Sequence, residues 1–79
     1  MAFYIKIEKT DEDNEKVIYS FTGDGGNTGI FEINKISGDL NLLEGMPGDS
    51  DEAMYRRASI KILKEWKIGN LPNMTEWAS

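Results

Sequence analysis

Residues 51–68 read DEAMYRRASIKILKEWKI, and their apolar side chains recur with the 3.6-residue period of an α-helix. Asp49 or Ser50 is placed to cap the start of this helix, and the acidic pair that follows puts negative charge where the helix dipole favours it. Gly69 ends the periodic run, after lysines in the last turn. The opposite faces of the predicted helix differ in character, because Arg and Lys fill most of one. The other face is apolar and carries Tyr55, Ala58, Ile62, Leu63 and Trp66.

The sequence before the helix follows a different period, the alternation of two that is typical of half-buried β-strands. In the first such segment Phe3, Ile5 and Ile7 alternate with polar side chains. A glycine-rich loop, residues 22–29, interrupts the pattern, because glycine loses too much backbone freedom to sit inside a strand or helix. The pattern predicts strands at residues 2–9, 16–21, 30–33 and 40–43.

These periods predict an α+β fold, with a four-stranded antiparallel sheet followed by one long C-terminal helix packed on it. We expect a single domain over residues 1–79. Its parts are the β-sheet (1–43), a linker (44–50), the helix (51–68) and a tail (69–79) with no clear period.

The composition argues against a catalytic site. A chain of 79 residues buries only about 60–65% of the surface that it exposes when unfolded, so it has room for one modest core. It contains no cysteine and no histidine, and it therefore lacks the usual nucleophile–base pairs and the commonest zinc ligands. We expect no enzymatic activity, no cofactor and no metal site.

The charge limits the classes of partner. Nine basic and fourteen acidic side chains give a net charge of −5. Because phosphate contacts need a basic surface, we do not expect direct binding to nucleic acid, although the basic helix face leaves it as a minor alternative. No apolar run approaches the roughly 20 residues that span a bilayer, and residues 1–6 lack the pattern of a signal peptide. We therefore expect a cytoplasmic protein without a membrane partner.

Acidic side chains are concentrated in residues 1–52, which hold twelve of the fourteen. An acidic turn, the glycine-rich loop and the helix entrance each carry some of them. Trp77 in the tail is either an interface anchor or an aromatic side chain that folds back onto the sheet or helix. The candidate protein-binding residues are Asp11, Glu12, Asp13, Glu15, Asp24, Asp49, Asp51, Glu52 and Trp77.

As a whole, this short, acidic chain without cysteine resembles the small immunity proteins of bacterial toxin–immunity systems, including those of contact-dependent inhibition. The resemblance implies a protein that binds a toxin domain, often a basic nuclease, and covers its active site or an essential surface. A nuclease presents Lys and Arg to phosphate, so carboxylates on an inhibitor can take the same places and speed the encounter.

The sequence thus predicts a non-enzymatic protein inhibitor that neutralises a basic toxin or effector domain and is a monomer or homodimer when free. Two other interpretations stay open. One is a small structural or adaptor subunit, such as a homodimer that pairs edge strands. The other is a phage-encoded inhibitor of a nucleic-acid-processing complex.

Overall fold

The computed structural model describes residues 4–49 and 52–78, and within this range the chain forms five strands and one helix. Four strands come first, then the helix, and the fifth strand follows the helix. The elements are β1 (Tyr4–Glu12), β2 (Lys16–Gly23), β3 (Thr28–Asn34), β4 (Leu40–Glu44), α1 (Ala53–Lys67) and β5 (Met74–Ala78).

All five strands belong to one antiparallel sheet, in the order β4-β3-β2-β1-β5. The first four strands form a meander joined by hairpin turns. The helix then carries the chain from the β4 edge to the opposite edge, where β5 pairs with β1. The expectation of an α+β fold with an antiparallel sheet is confirmed, but the sheet has five strands rather than four.

The core lies between one face of the sheet and the helix. Alternation in β1, β2 and β3 sends every second side chain inward, including Ile5, Tyr19 and Phe31, and none of these three is exposed to solvent. The helix adds Ala58 and Ile62, which are equally buried. Tyr55, Leu63 and Trp66, the other apolar residues of the predicted helix face, are half-buried and pack against this core.

The predicted tail is where the expectation was wrong. Its last part forms β5, in which Thr75 and Trp77 face the helix side while Met74, Glu76 and Ala78 are exposed. The alternation is real but only five residues long, so it produces little periodic signal. What makes it a strand is the free edge of β1, a partner that the local sequence does not reveal.

The helix is slightly shorter than predicted, since it begins at Ala53 and ends at Lys67. The N-cap residue is Glu52, and not Asp49 as predicted, and its side chain makes no capping hydrogen bond. Asp49 supplies the acceptors instead, since its two carboxylate oxygens accept hydrogen bonds from the backbone N–H groups of Met54 and Tyr55, at 3.0 and 3.2 Å. The other predicted cap, Ser50, lies outside the described residues.

Two long-range hydrogen bonds hold connecting segments in place, one in the connection between α1 and β5 and one in the β3–β4 turn. The Tyr19 hydroxyl donates to the carbonyl oxygen of Pro72, and the Trp66 indole N–H donates to the carbonyl oxygen of Lys35, each at 2.7 Å. The Trp66 ring also lies over the β3–β4 turn, so closely that a Cβ on Gly38 would come within 2.7 Å of it. Gly38 has a positive φ of 78°, which glycine adopts without strain.

Candidate protein-binding surfaces

The strand order divides the candidate acidic residues between two opposite ends of the sheet. In an antiparallel meander successive turns lie at alternate ends, so the β1–β2 turn is far from the β2–β3 loop. We call the end with the β1–β2 turn, residues 11–15, the hairpin end. The end with the glycine-rich loop and the helix entrance, residues 22–29, 45–49 and 52–53, is the loop end. The candidate carboxylates therefore do not share one surface.

At the hairpin end, Asp13 is part of the turn itself. One of its carboxylate oxygens accepts hydrogen bonds from the backbone N–H groups of Glu15 and Lys16, both at 2.8 Å. These bonds favour the ionised carboxylate and hold the pKa of Asp13 below its usual value. The charge of Asp13 thus stabilises the local backbone.

Glu12, also at the hairpin end, is paired with two lysines. Its carboxylate accepts hydrogen bonds from the Lys35 ammonium and from Lys9 Nζ, the latter at 2.8 Å, and these lower its pKa to about 2. Two neighbouring cations cancel the negative charge that Glu12 would present to a partner. Of the four candidates at this end, Glu12 alone forms an ion pair within the described residues, and Asp11 and Glu15 are exposed.

The loop end contains a cleft of about 330 Å³ between the glycine-rich loop and the helix entrance. Asp24 and Asp49, which lie far apart in sequence, both line it. The Asn27 side-chain amide joins the two segments by donating to the Pro47 carbonyl oxygen at 3.1 Å. Met46 and Met54 supply apolar surface to the same cleft. The fold therefore brings two separate acidic segments together beside an apolar floor.

The candidates at the loop end differ in availability. Asp49 is engaged by backbone N–H groups at the start of the helix, whereas Asp24 and Glu52 are exposed and make no ion pair with any other described residue. Glu52 has a positive φ of 58°, a conformation that is uncommon for a residue with a side chain. Asp51 lies outside the described residues.

Trp77 packs against the core from the edge of the sheet. It lies opposite Ile5 in the β1–β5 pair and is half-buried on the side of the sheet that the helix covers. This packing agrees with the interpretation in which Trp77 folds back onto the sheet.

The helix and the uncovered sheet face are both strongly polar. On the helix, Arg57 donates to the Ala53 carbonyl oxygen and Lys61 pairs with Glu65 at 3.6 Å. On the uncovered face, Lys16 pairs with Glu32 at 3.5 Å and Lys6 with Glu8 at 3.8 Å. Both surfaces have the interspersed charges of a solvent-facing side.

Sequence reasoning did not bring together two groups of residues that the fold places at candidate surfaces. One is the methionine pair of the loop-end cleft, and the other is the cluster of Tyr4, Met74 and Glu76 beside the β1–β5 edge. Each group comes from segments that are distant in sequence, so only the strand order shows that they are neighbours.

Among the described residues, no helix is long and apolar enough to cross a membrane. The chain matches no protein-family model, no curated protein and no solved structure.

Proposed function

We propose that this protein is a non-enzymatic inhibitor of the immunity type, which binds a basic toxin or effector domain, such as a nuclease, and neutralises it. The loop end is the contact surface in this proposal. Asp24 and Glu52 present charge to the partner, and the cleft beside them takes up an apolar or long basic side chain.

One observation carries the choice of the loop end: Asp24 and Asp49 come from separate segments and line a single cleft. At the hairpin end, by contrast, the charge of Glu12 is cancelled by two lysines and Asp13 is committed to the turn. Each end has two exposed carboxylates without an ion pair to another described residue, Asp11 and Glu15 at the hairpin end and Asp24 and Glu52 at the loop end. At the hairpin end, however, Lys9 and Lys35 lie beside Glu12, and these cations weaken the attraction of that end for a cationic partner.

The chemistry of a nuclease supports a carboxylate-bearing inhibitor. Such an enzyme holds the phosphate backbone with Lys and Arg, and these side chains attract an acidic surface of similar spacing. Complementary charge also raises the association rate towards 10⁸ M⁻¹s⁻¹ at low salt, roughly a hundredfold above that of neutral surfaces. Fast capture is useful when the ligand is toxic to the cell.

The experiment begins by co-expressing the protein with the product of the adjacent gene and isolating the complex. Association rates are then measured for two doubly substituted variants, Asp24→Lys with Glu52→Lys at the loop end and Asp11→Lys with Glu15→Lys at the hairpin end. We expect the loop-end variant to associate about tenfold more slowly at low salt and the hairpin-end variant to change much less. Unfolding in urea controls for stability in both variants.

Equal rates for both variants and the wild type would refute electrostatic capture at the loop end. A larger effect from the hairpin-end variant would move the contact surface to the other end of the sheet. Absence of any complex with the neighbouring gene product, under salt conditions that preserve charge pairing, would remove the support for an immunity role.

A further inference from the structure

The outer edge of β5 presents backbone groups that no strand of the described part of the chain pairs with. β5 is the last strand in the sheet order, and it is bonded to the rest of the sheet through β1 alone. The Lys9 N–H donates to the Asn73 carbonyl oxygen at 2.8 Å, and this bond shows which residues of β5 form hydrogen-bonded pairs with β1. Hydrogen-bonded pairs alternate along an antiparallel ladder, so Thr75 and Trp77 bond to β1. The N–H and C=O groups of Met74, Glu76 and Ala78 consequently point outward.

The two edges of the sheet are not equally protected. β4 has an irregular register, because Leu43 is an extra residue between the pairs that Leu42 and Glu44 make with β3. Such a bulge twists an edge and discourages further pairing. β5 pairs with β1 in an unbroken register over all five of its residues, and it contains neither lysine nor proline. Lysine, proline and bulges are common features that prevent an edge strand from pairing further. Because β5 has none of the three, it is the edge that is suited to accept another strand.

The side chains beside this edge define the chemistry of an incoming strand. On the uncovered face, a groove of about 300 Å³ is lined by Tyr4, Lys6, Met74, Thr75 and Glu76. The Glu76 carboxylate lies beside the Tyr4 hydroxyl and makes no ion pair within the described residues. On the helix side, the same edge carries Trp77, which is half-buried and packs against the core. A strand added here meets an anion on one face and an aromatic ring on the other.

A second copy of the chain does not fit this edge well. Two β5 strands can pair over all five residues only in the antiparallel register that is centred on Glu76. That register places the carboxylates of the two copies directly opposite each other, and like charges opposite each other destabilise a sheet. Charge complementarity instead selects a cation opposite Glu76.

We propose that the outer edge of β5 binds an extended segment of another protein in which basic residues alternate with apolar residues. The segment pairs with the backbone of Met74, Glu76 and Ala78, its basic side chains face Glu76, and its apolar side chains pack on Trp77. The end of this edge where Tyr4 pairs with Ala78 lies near Asp24 of the loop end. The proposed pairing uses the β5 backbone and not the loop-end cleft, so this inference does not depend on the proposed function.

The first test uses amide hydrogen exchange of the free protein, followed by NMR. The amides of Met74, Glu76 and Ala78 exchange rapidly if the edge is open, while those of Thr75 and Trp77 are protected. Protection of all five amides in a concentration-dependent manner would identify a second copy as the occupant and overturn the proposal.

The second test titrates the protein with a short synthetic peptide of alternating lysine and valine. Shifts confined to the β5 edge and slower exchange of its three outward amides support the proposal, and a matched peptide of alternating glutamate and valine should bind about fivefold more weakly. Glu76→Lys reverses this preference, whereas Glu44→Lys at the opposite edge leaves it unchanged. Equal binding of both peptides, or shifts located elsewhere on the protein, would refute it.

Discussion

The Tyr19 hydroxyl donates a hydrogen bond of 2.7 Å to the carbonyl oxygen of Pro72, from the middle of the sheet to the segment that leads into β5. The Tyr19 ring itself is fully buried and stacks on Phe31, with ring centroids 5.8 Å apart. One side chain thus joins the aromatic core to the connection that positions the last strand.

Replacing Tyr19 with phenylalanine keeps the ring and removes this bond. Because the Pro72 carbonyl then loses its partner, we expect the free energy of unfolding to fall by about 1–3 kcal/mol. Urea denaturation measures the loss. Tyr55→Phe is the matched control, since the Tyr55 hydroxyl makes no hydrogen bond with any described residue, and an equal loss there would contradict the assignment.

Tyr19 also makes stability sensitive to alkaline pH. Burial raises the pKa of Tyr19 to about 12, with smaller contributions from Glu12 and Glu65. A pKa that is higher in the folded than in the unfolded protein gives stability that is complete below pH 10 and lost as the pH rises from 10 towards 12. The melting temperature of the wild type should fall in this window. Tyr19→Phe should show a shallower fall, since only Tyr4 and Tyr55 then retain raised pKa values.

Glu12 acts in the opposite direction, at acid pH. Hydrogen bonds from Lys35 and Lys9 lower its pKa to about 2, from an ordinary value of 4.5. The stability that these bonds supply is therefore complete above pH 4.5 and is lost as the pH falls towards 2. We expect Glu12→Gln to reduce the wild-type loss of stability between these pH values. An unchanged acid limb in thermal melts would show that the pair forms without stabilising the fold.

The β3–β4 turn tolerates no side chain at Gly38. Its φ of 78° strains any other residue, and a new Cβ would come within 2.7 Å of the Trp66 ring. We expect Gly38→Ala to cost about 2–4 kcal/mol. Gly45→Ala is the control, because a Cβ there meets no atom within 4 Å, and it should change stability by less than about 1 kcal/mol. Similar losses in the two variants would contradict the close packing of the turn.

Near the helix entrance, Asp49 stabilises the fold, whereas Asp24 is exposed and can contact a partner. Asp49→Ala removes the acceptor for the N–H groups of Met54 and Tyr55 and should cost about 0.5–2 kcal/mol. Asp24→Ala, at the same end, should leave stability nearly unchanged while slowing association with a basic partner. Loss of helical circular dichroism in the second variant but not in the first would reverse these roles.

Most of the fold follows from periods that are visible in the sequence. The alternation around Ile5 and Ile7 and the helical stripe through Ala58 and Ile62 predict their elements, because each pattern runs long enough to exclude the other period. β5 could not be found in the same way. Its five residues contribute only two inward side chains, and its pairing depends on β1, which is distant in sequence.

The sequence allowed us to predict which types of residue form the candidate site, but it did not show which of them lie on the same surface. In the sequence, Glu12 and Asp24 are both acidic loop residues, and nothing there favours one over the other as a protein-binding residue. Only the tertiary structure reveals that lysines neutralise the first, because Lys35 reaches it from the β3–β4 turn. The convergence of Asp24 with Asp49 likewise depends on the strand order.

The pairing of β5 with β1 has a consequence for the kinetics of folding. Tyr4 lies opposite Ala78 and Ile5 opposite Trp77, so this ladder joins nearly the most distant residues of the described chain. Contacts between residues so distant in sequence form slowly, because the chain loses the entropy of loop closure before the hydrogen bonds of the ladder stabilise it. During synthesis the outer edge of β1 stays unpaired until residue 78 has emerged from the ribosome. Until β5 pairs with it, that edge of β1 is open to pairing with other chains.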